Sequence, residues 1–477
     1  MHHDQGALGA VANRRAIERQ VEILQEMGCN SIRVTHNPAA QNLIDVCNEK
    51  GILVIEEIFD GWHHAKNGNS EDFAKYFKKQ IGEGNQLIGA TSNMTWAEFS
   101  LKSIIKRDYN APSVFAWSLG NEIQEGAGYS DYDETVPDLI KWVQDIDRTK
   151  EITIGSNAVK NEHSGQGEHS SVADKITAAG GTSGTNYSNG ASYDELRRLH
   201  PDWKIYGSET ASSINSRGVY HTKGRDDSTQ ELTSYDKSCV GWGALANDAW
   251  YDVVTRDFVA GTYVWTGFDY IGEPTPWNEV KPGPKGKWPS PKNSFFGIVD
   301  TAGIPKDSYY LYQSQWNEKV NTLHILPSWN EDEIQVNNGN VEVVVYSDAP
   351  KVELWFTPKG SNQAQKVGET QEITKKTTNV GHSYYLNEKT NKLYRTWNVP
   401  YAEGTLEARA FDASGNPIEK TEGRASVTTT GKEAKLQVKA DHKEIKADGK
   451  DLSYLQIDVL DEKGNIVTDA DDKVKVE

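Results

Sequence analysis

Residues 13–38 read NRRAIERQVEILQEMGCNSIRVTHNP, and this stretch contains one helix followed by one strand. Ile17 and Val21 belong to an apolar series at helical spacing, and Gly28 follows as a helix terminator. The next residues, 30–35, form a short strand-like run that ends at a His-Asn-Pro loop. Alternating helices and strands are typical of a parallel sheet covered by helices.

The alternation of helix and strand continues to about residue 267. Seven strand-like runs are separated by helical ones: 30–35, 52–57, 114–119, 151–155, 182–187, 204–208 and 261–267. Repeated units of this kind imply parallel strands joined by crossover helices. Seven strands are one too few for a closed (β/α)8 TIM barrel, so we expect a barrel that lacks its first strand, with His2 in the loop that follows the missing strand. A doubly wound parallel sheet is the alternative.

The pattern changes after Trp316 to short strand-like runs such as VEVVVYS and TLEARAFD, separated by Gly, Asn, Asp and Pro turns. This pattern is typical of immunoglobulin-like β-sandwiches. We therefore predict a barrel domain over 1–316, an immunoglobulin-like β-sandwich over 317–431, and the start of a further immunoglobulin-like domain over 432–477. The last of these holds about half of a sandwich, so we expect truncation at this end as well.

Composition excludes several classes of partner. The net charge is −18, which argues against nucleic acid or anionic lipid as a ligand. No run of about 18 apolar residues is present, so no membrane insertion is expected. The 14 Trp and 21 Tyr are mostly core residues, but aromatic rings also stack on the apolar faces of sugars.

Two glutamates follow predicted barrel strands, where side chains reach the functional face of a barrel. Glu122 follows 114–119 in the sequence SLGNE, and Glu209 follows 204–208 in GSET. Either residue alone could simply begin the next helix. Together they supply the two carboxyl groups that glycosidic bond cleavage requires.

Other strand ends carry polar and aromatic side chains that suit a sugar, although each has a structural alternative. Trp265, for example, could equally be barrel core. The adjacent His63 and His64 are interpreted as a solvated loop in preference to a metal site. The strand-end residues of this kind are Arg33, His36, Asn37, Asp60, Trp62, Asn186, Tyr187, Trp265 and Asp269.

Several motifs together resemble glycoside hydrolase family 2, in particular its large, multidomain, cell-wall-anchored β-galactosidases. They are IRVTHNP (32–38), SLGNEI (118–123), YGSET (206–210), YVWTGFDYIGE (263–273) and FFGIVDTAGIPKDSYY (295–310). The resemblance covers about residues 1–316. It implies a retaining enzyme with Glu122 as general acid/base and Glu209 as nucleophile. The sugar-contacting residues that it implies are His2, Arg33, His36, Asn121, Tyr187, Trp265 and Asp269.

The resemblance also sets expectations for cofactors, substrate and location. Family members with magnesium hold it near the acid/base, but we cannot match those ligands around 56–64, so we expect no metal and no cofactor. Glucuronidases of the family carry an Asn-x-Lys motif where this chain has Ser294-Phe295-Phe296, which disfavours a uronate and leaves a β-galactoside glycan as the expected substrate. A β-mannosidase, a β-glucuronidase and a non-catalytic carbohydrate-binding adhesin remain alternatives. The parent protein is expected to be extracellular or anchored to the cell wall.

Overall fold

The structure is a computed structural model that describes residues 3–123, 131–159, 170–277 and 292–475. Helices and strands alternate in its first part, and each of the seven predicted strands overlaps a strand of the structure. The elements are α1 (Arg14–Met27), β1 (Ser31–Arg33), α2 (Gln41–Lys50), β2 (Leu53–Glu57), α3 (Ala74–Phe77), α4 (Trp96–Asp108), β3 (Val114–Asn121), α5 (Tyr132–Gln144), β4 (Glu151–Ser156), α6 (Ser171–Ala178), β5 (Thr182–Asn186), α7 (Gly190–Leu199), β6 (Ile205–Ala211), β7 (Arg225–Asp226), β8 (Glu231–Leu232), α8 (Ala246–Val254), β9 (Val259–Trp265) and α9 (Asp307–Trp316).

The first helix shows why the opening stretch folds as predicted. The side chain of Asn13 accepts a hydrogen bond from the amide of Ala16 and so caps the N-terminus of α1. Gly28 ends the helix in the left-handed conformation at φ 103°, which favours glycine. Ile17 and Val21 are buried on the face that packs toward the sheet.

Seven parallel strands form a nearly closed barrel in the order β1-β2-β3-β4-β5-β6-β9. Within the described residues, β1 and β9 do not pair with each other. A cavity of about 420 Å³ lies beside them, with Ser31 and Tyr263 in its lining. The hydroxyl groups of these two residues are 2.6 Å apart and join the two edges. The prediction of a barrel without its first strand is therefore confirmed.

Antiparallel strands follow the barrel. They are β10 (Leu323–Leu326), β11 (Asn340–Ser347), β12 (Lys351–Pro358), β13 (Gln365–Glu372), β14 (Thr374–Thr377), β15 (Ser383–Leu386), β16 (Arg395–Pro400), β17 (Gly404–Phe411), β18 (Ser426–Thr428), β19 (Glu433–Ala440) and β20 (Leu455–Asp461). One sheet has the order β10-β11-β16 and another β13-β12-β17-β18. Buried and less buried residues alternate along β17, as expected for a strand with one face in a core.

The β domains pack against the barrel. One apolar cluster contains Phe268 and Tyr312 from the barrel part together with Val345 and Leu354 from the β-sheets. The last hairpin, β19–β20, contacts α1 through an ion pair between Arg15 and Asp441 at 2.5 Å. Among the described residues, no helix combines the length and apolar character needed to cross a membrane.

Candidate active site

The carboxyl ends of the barrel strands bring most of the predicted site residues to one rim. Asn121 ends β3 and Glu122 follows it, while Glu209 lies near the end of β6. In a parallel barrel these ends share one face, which is where barrel enzymes hold their active sites. The structure also places Arg33, His36, Tyr187 and Trp265 in this region, as the contacts below establish. His2 lies outside the described residues.

Glu122 is held at the rim by an amide side chain from β5. Nδ2 of Asn186 donates hydrogen bonds to Oε1 of Glu122 at 2.9 Å and to Oδ1 of Asn121 at 3.0 Å. The backbone of Glu122 has φ 42°, an uncommon value for a residue other than glycine. Burial and the negative charge of Glu209 both raise the pKa of the Glu122 carboxyl group. Asn186, Lys66 and His36 act in the opposite direction without reversing the shift.

Glu209 is almost fully buried, and its carboxylate accepts hydrogen bonds from one charged and one neutral donor. Nη1 of Arg33 donates to Oε1 at 3.0 Å, and the hydroxyl of Tyr187 donates to Oε2 at 2.8 Å. Burial and the charge of Glu209 raise the pKa of Tyr187 well above its ordinary value, so the phenol stays protonated as a donor. Each carboxylate oxygen of Glu209 therefore has a donor.

Glu57 is a central residue of the site that sequence reasoning missed. Its Oε2 accepts from Nη2 of Arg33 at 2.6 Å and from the hydroxyl of Ser118 at 2.7 Å. Burial alone would raise the pKa of Glu57, but Arg33 and the hydrogen bonds from His36 and Ser118 hold it below its usual range. The available signal was a pair of carboxylates at the end of the apolar run ILVIEE (52–57).

Arg33 connects both halves of the site. Its side chain is 1% exposed, and it contacts Glu57, Glu209 and the amide oxygen of Asn121, the last at 3.0 Å. Burial lowers the pKa of Arg33, but the two carboxylates more than offset this effect and raise it above its ordinary value. A hydrogen-bonded chain thus runs from Glu209 through Arg33, Asn121 and Asn186 to Glu122.

His36 and Trp265 form a stacked pair beside Glu209. Their ring centroids are 5.2 Å apart, with an angle of 9° between the planes. Nδ1 of His36 lies 2.6 Å from Oε1 of Glu57, and Nε2 lies 3.6 Å from Oε1 of Glu209. Trp265 is 8% exposed and belongs to an apolar cluster that includes Tyr270. Its role as a sugar platform stays a prediction.

Asp269 lies buried behind the rim. Its Oδ2 is 2.8 Å from Nζ of Lys306, and its Oδ1 accepts from the amide of Gly297 at 2.7 Å. Burial raises the pKa of Asp269 to about 6, although Lys306 opposes the shift. Any side chain at position 297 would collide with the backbone amide of Asp269, so only glycine fits there. Contact between Asp269 and a sugar stays a prediction.

The loop after β2 adds charged groups next to Glu122. Lys66 Nζ is 2.5 Å from Oδ1 of Asp60, and the carbonyl of Asp60 accepts a hydrogen bond from the amide of Asn121 at 3.1 Å. Sequence reasoning singled out Asp60 but missed Lys66.

The same loop carries the two adjacent histidines. Ligand atoms of His63, His64 and Asp131 lie within 4.8 Å of one another, a spacing that could hold a metal ion. Lys78 lies 3.3 Å from Oδ2 of Asp131, so the carboxylate already has a cationic partner.

Taken together, the rim provides a carboxyl group with a raised pKa and a second carboxylate held by Arg33 and Tyr187. The raised pKa of the first favours proton donation, and the second suits attack on an electrophilic carbon. Two carboxyl groups with different environments are the arrangement that glycoside hydrolysis uses.

Three family profiles match the chain. Residues 1–196 match the profile described as "Glycosyl hydrolases family 2, TIM barrel domain". Residues 436–477 match "Glycoside hydrolase family 2 C-terminal domain 5", and residues 338–419 match a domain of unknown function, DUF4982.

Individual relatives agree with the profiles. A protein of Bacteroides ovatus named "Beta-galactosidase BoGH2A" is 34% identical over 99% of this chain and 53% of its own length. A "Putative beta-glucuronidase" of Formosa agariphila is 27% identical over 99% of this chain and 41% of its own length. The crystal structure of a glycosyl hydrolase family 2 member from Bacteroides cellulosilyticus superposes with a TM-score of 0.67 and 28% identity, covering 98% of this chain and 50% of that one. The chain thus spans about half the length of the relatives that it matches.

Proposed function

Because this chain belongs to glycoside hydrolase family 2, we propose that it carries the active site of a retaining exo-β-galactosidase, with Glu122 as general acid/base and Glu209 as nucleophile. The proposal rests on the different environments of the two glutamates. Burial and a neighbouring negative charge raise the pKa of Glu122, whereas Arg33 and Tyr187 donate hydrogen bonds to Glu209.

In the proposed first step, an oxygen of Glu209 attacks the anomeric carbon as the bond to the leaving oxygen breaks. Glu122 transfers its proton to that oxygen, and the sugar remains attached to Glu209 as an ester. In the second step, Glu122 takes a proton from water, the water oxygen attacks the anomeric carbon, and Glu209 leaves as a carboxylate. Two displacements at one carbon retain its configuration.

The environment of Glu122 supports this exchange of roles. The charge of Glu209 is one of the two causes that raise the pKa of Glu122. Ester formation removes that charge, so the pKa of Glu122 falls when the residue has to act as a base. We predict that the two carboxyl groups lie roughly 5–5.5 Å apart, the separation used by retaining enzymes.

Charge balance supports a neutral sugar over a uronate. Arg33 is paired with Glu57 and Glu209, and Lys306 is paired with Asp269. A substrate carboxylate would have to compete with Glu57 and Glu209 for Arg33, or with Asp269 for Lys306. Phe296 is buried, and its ring stacks with that of Tyr270. It stands where glucuronidases of the family have their lysine motif.

Galactose is preferred over mannose because of the relative named as a β-galactosidase, which is similar across nearly the whole chain. Relatives named as β-glucuronidases make that activity the second candidate, and the charge balance around Arg33 and Lys306 opposes it.

The experiment is hydrolysis of p-nitrophenyl β-galactoside, β-mannoside and β-glucuronide by the full chain, with the anomeric form of the first product followed by NMR. We expect release of p-nitrophenol from the galactoside, with β-galactose as the first sugar product. Preference for the glucuronide would overturn the proposed substrate, and α-galactose as first product would overturn the proposed double displacement. Glu209→Gln is the inactive control.

A further inference from the structure

Lys66 is held next to Glu122, the proposed acid/base, by one contact of its side chain and one contact of its backbone. Its Nζ pairs with Oδ1 of Asp60 at 2.5 Å, and its backbone amide donates to Oδ2 of Asp72 at 3.1 Å. Asp60 is tied in turn to Asn121, the residue before Glu122, by the 3.1 Å backbone hydrogen bond. The ammonium group is therefore fixed relative to Glu122.

The strand order places this pair beside Glu122 and across the barrel mouth from Glu209. Lys66 follows β2 and Glu122 follows β3, which are neighbouring strands, whereas Glu209 lies on β6, three strands further around the barrel. In the proposed reaction, Glu209 meets the anomeric carbon and Glu122 meets the leaving oxygen. Groups that lie beside Glu122 and across the mouth from Glu209 are therefore positioned to reach the leaving group.

Lys66 and Asp60 have the chemistry to bind a sugar. An ammonium group donates hydrogen bonds, a carboxylate accepts them, and adjacent sugar hydroxyls do both. The side chains of Lys66 and Asp60 are 19% and 41% exposed, so both are accessible at the rim. Because the pair is neutral overall, it suits an uncharged sugar better than an acidic one.

We propose that Lys66 and Asp60 form the binding site for the leaving-group sugar, and that Lys66 contributes more to the reaction of a sugar leaving group than to that of an aryl one. This inference rests on the proposed function, because it needs Glu122 to act on the leaving oxygen. Neither residue is part of the hydrogen-bonded chain from Glu209 to Glu122 described above.

Lys66 also acts on Glu122 through its charge, an effect that a residue with only a structural role would not have. Lys66 favours the charged form of Glu122 and so lowers its pKa, against the larger effects of burial and Glu209. His36 acts in the same direction as Lys66, and Asn186 does so through its hydrogen bond. Loss of Lys66 should therefore raise the pKa of Glu122 and move the alkaline limb of the pH profile of kcat/KM to higher pH.

The test compares Lys66→Met with Lys75→Met in the full chain. Lys75 lies in α3, which follows this loop, and forms an exposed ion pair with Glu71, so its substitution removes the same charge from a surface pair. The two substrates are lactose, whose leaving group is a neutral sugar, and p-nitrophenyl β-galactoside, whose leaving group needs little protonation. Thermal midpoints are measured alongside, since partly exposed ion pairs contribute little to stability.

We expect Lys66→Met to lower kcat/KM for lactose by about ten-fold or more, the usual effect of losing a hydrogen bond from a charged donor. The loss on the aryl galactoside should be clearly smaller, and Lys75→Met should behave as the wild type. An equal loss on both substrates, or no loss on lactose, would overturn the inference while leaving the proposed function intact. A wild-type chain that hydrolyses neither substrate would instead overturn the proposed function.

Discussion

Nη1 of Arg33 donates a hydrogen bond to Oε1 of Glu209 at 3.0 Å, so a buried guanidinium from the first described strand holds the proposed nucleophile on the sixth. The same side chain reaches Glu57 and Asn121. The position of Glu209 consequently depends on residues from three other strands.

Glu57→Gln should destabilise the protein and lower its activity. The change leaves Arg33 with one buried carboxylate where it had two, and breaking a buried ion pair typically costs about 3–5 kcal/mol. We expect a loss of this order in the free energy of unfolding in urea. Glu49→Gln, which removes the exposed partner of Arg14, is the control and should cost less than about 1 kcal/mol. Equal losses in the two variants would mean that Glu57 is not a structural centre of the site.

The two proposed catalytic glutamates should respond differently to the same isosteric change. Glu209→Gln removes the nucleophile and should abolish turnover of every galactoside. Glu122→Gln removes the proton donor, so it should retain activity on dinitrophenyl galactoside, which has a good leaving group, and lose it on lactose. Steady-state kinetics on both substrates measure this difference. Equal losses on the two substrates in both variants would contradict the assigned roles.

The pKa of Glu122 should depend on the charge of Glu209. Burial and that charge raise the pKa, so the protonated acid persists above the usual range for glutamate, about 4.3. Glu209→Gln removes one of the two causes and should lower the pKa of Glu122. Carbon-13 NMR titration of the glutamate carboxyl groups measures the shift. A pKa that does not move, or that rises, would show that the two groups are not electrostatically coupled.

Substitutions of Trp265 should separate packing from sugar binding. Trp265 is 8% exposed, so Trp265→Ala should cost about 3–5 kcal/mol of stability. Trp265→Phe keeps an aromatic ring against His36 and should preserve the fold while lowering kcat/KM for galactosides. Trp203→Phe, in a different apolar cluster, is the matched control and should leave the kinetics unchanged. Unaltered kinetics in folded Trp265→Phe would assign Trp265 to packing alone.

The barrel and its two glutamates could be predicted because they depend on local pattern. Helical spacing before Gly28 and apolar runs at regular intervals identify the strands, and Glu122 and Glu209 stand directly after two of them. Among the described residues, the edges β1 and β9 of the nearly closed sheet do not pair with each other, which also agrees with the count of seven strands.

Glu57 and Lys66 could not be predicted in the same way. Glu57 is adjacent to Glu56 at the end of one strand, and only the barrel shows that Glu57 contacts Arg33 while Glu56 contacts Arg107. Lys66 lies in a loop without periodicity, and its proximity to Glu122 results from the neighbouring positions of β2 and β3. Such contacts depend on strands brought together from distant parts of the chain.

Trapping the glycosyl-enzyme intermediate would show whether Glu209 forms a covalent bond to the sugar. A 2-deoxy-2-fluoro-β-galactoside with a dinitrophenyl leaving group reacts in the first step, while its fluorine slows the second, so the glycosyl-enzyme accumulates. Peptide mapping by mass spectrometry then locates the sugar. We expect a single ester at Glu209, and an ester at Glu122 or at any other residue would rule out Glu209 as the nucleophile.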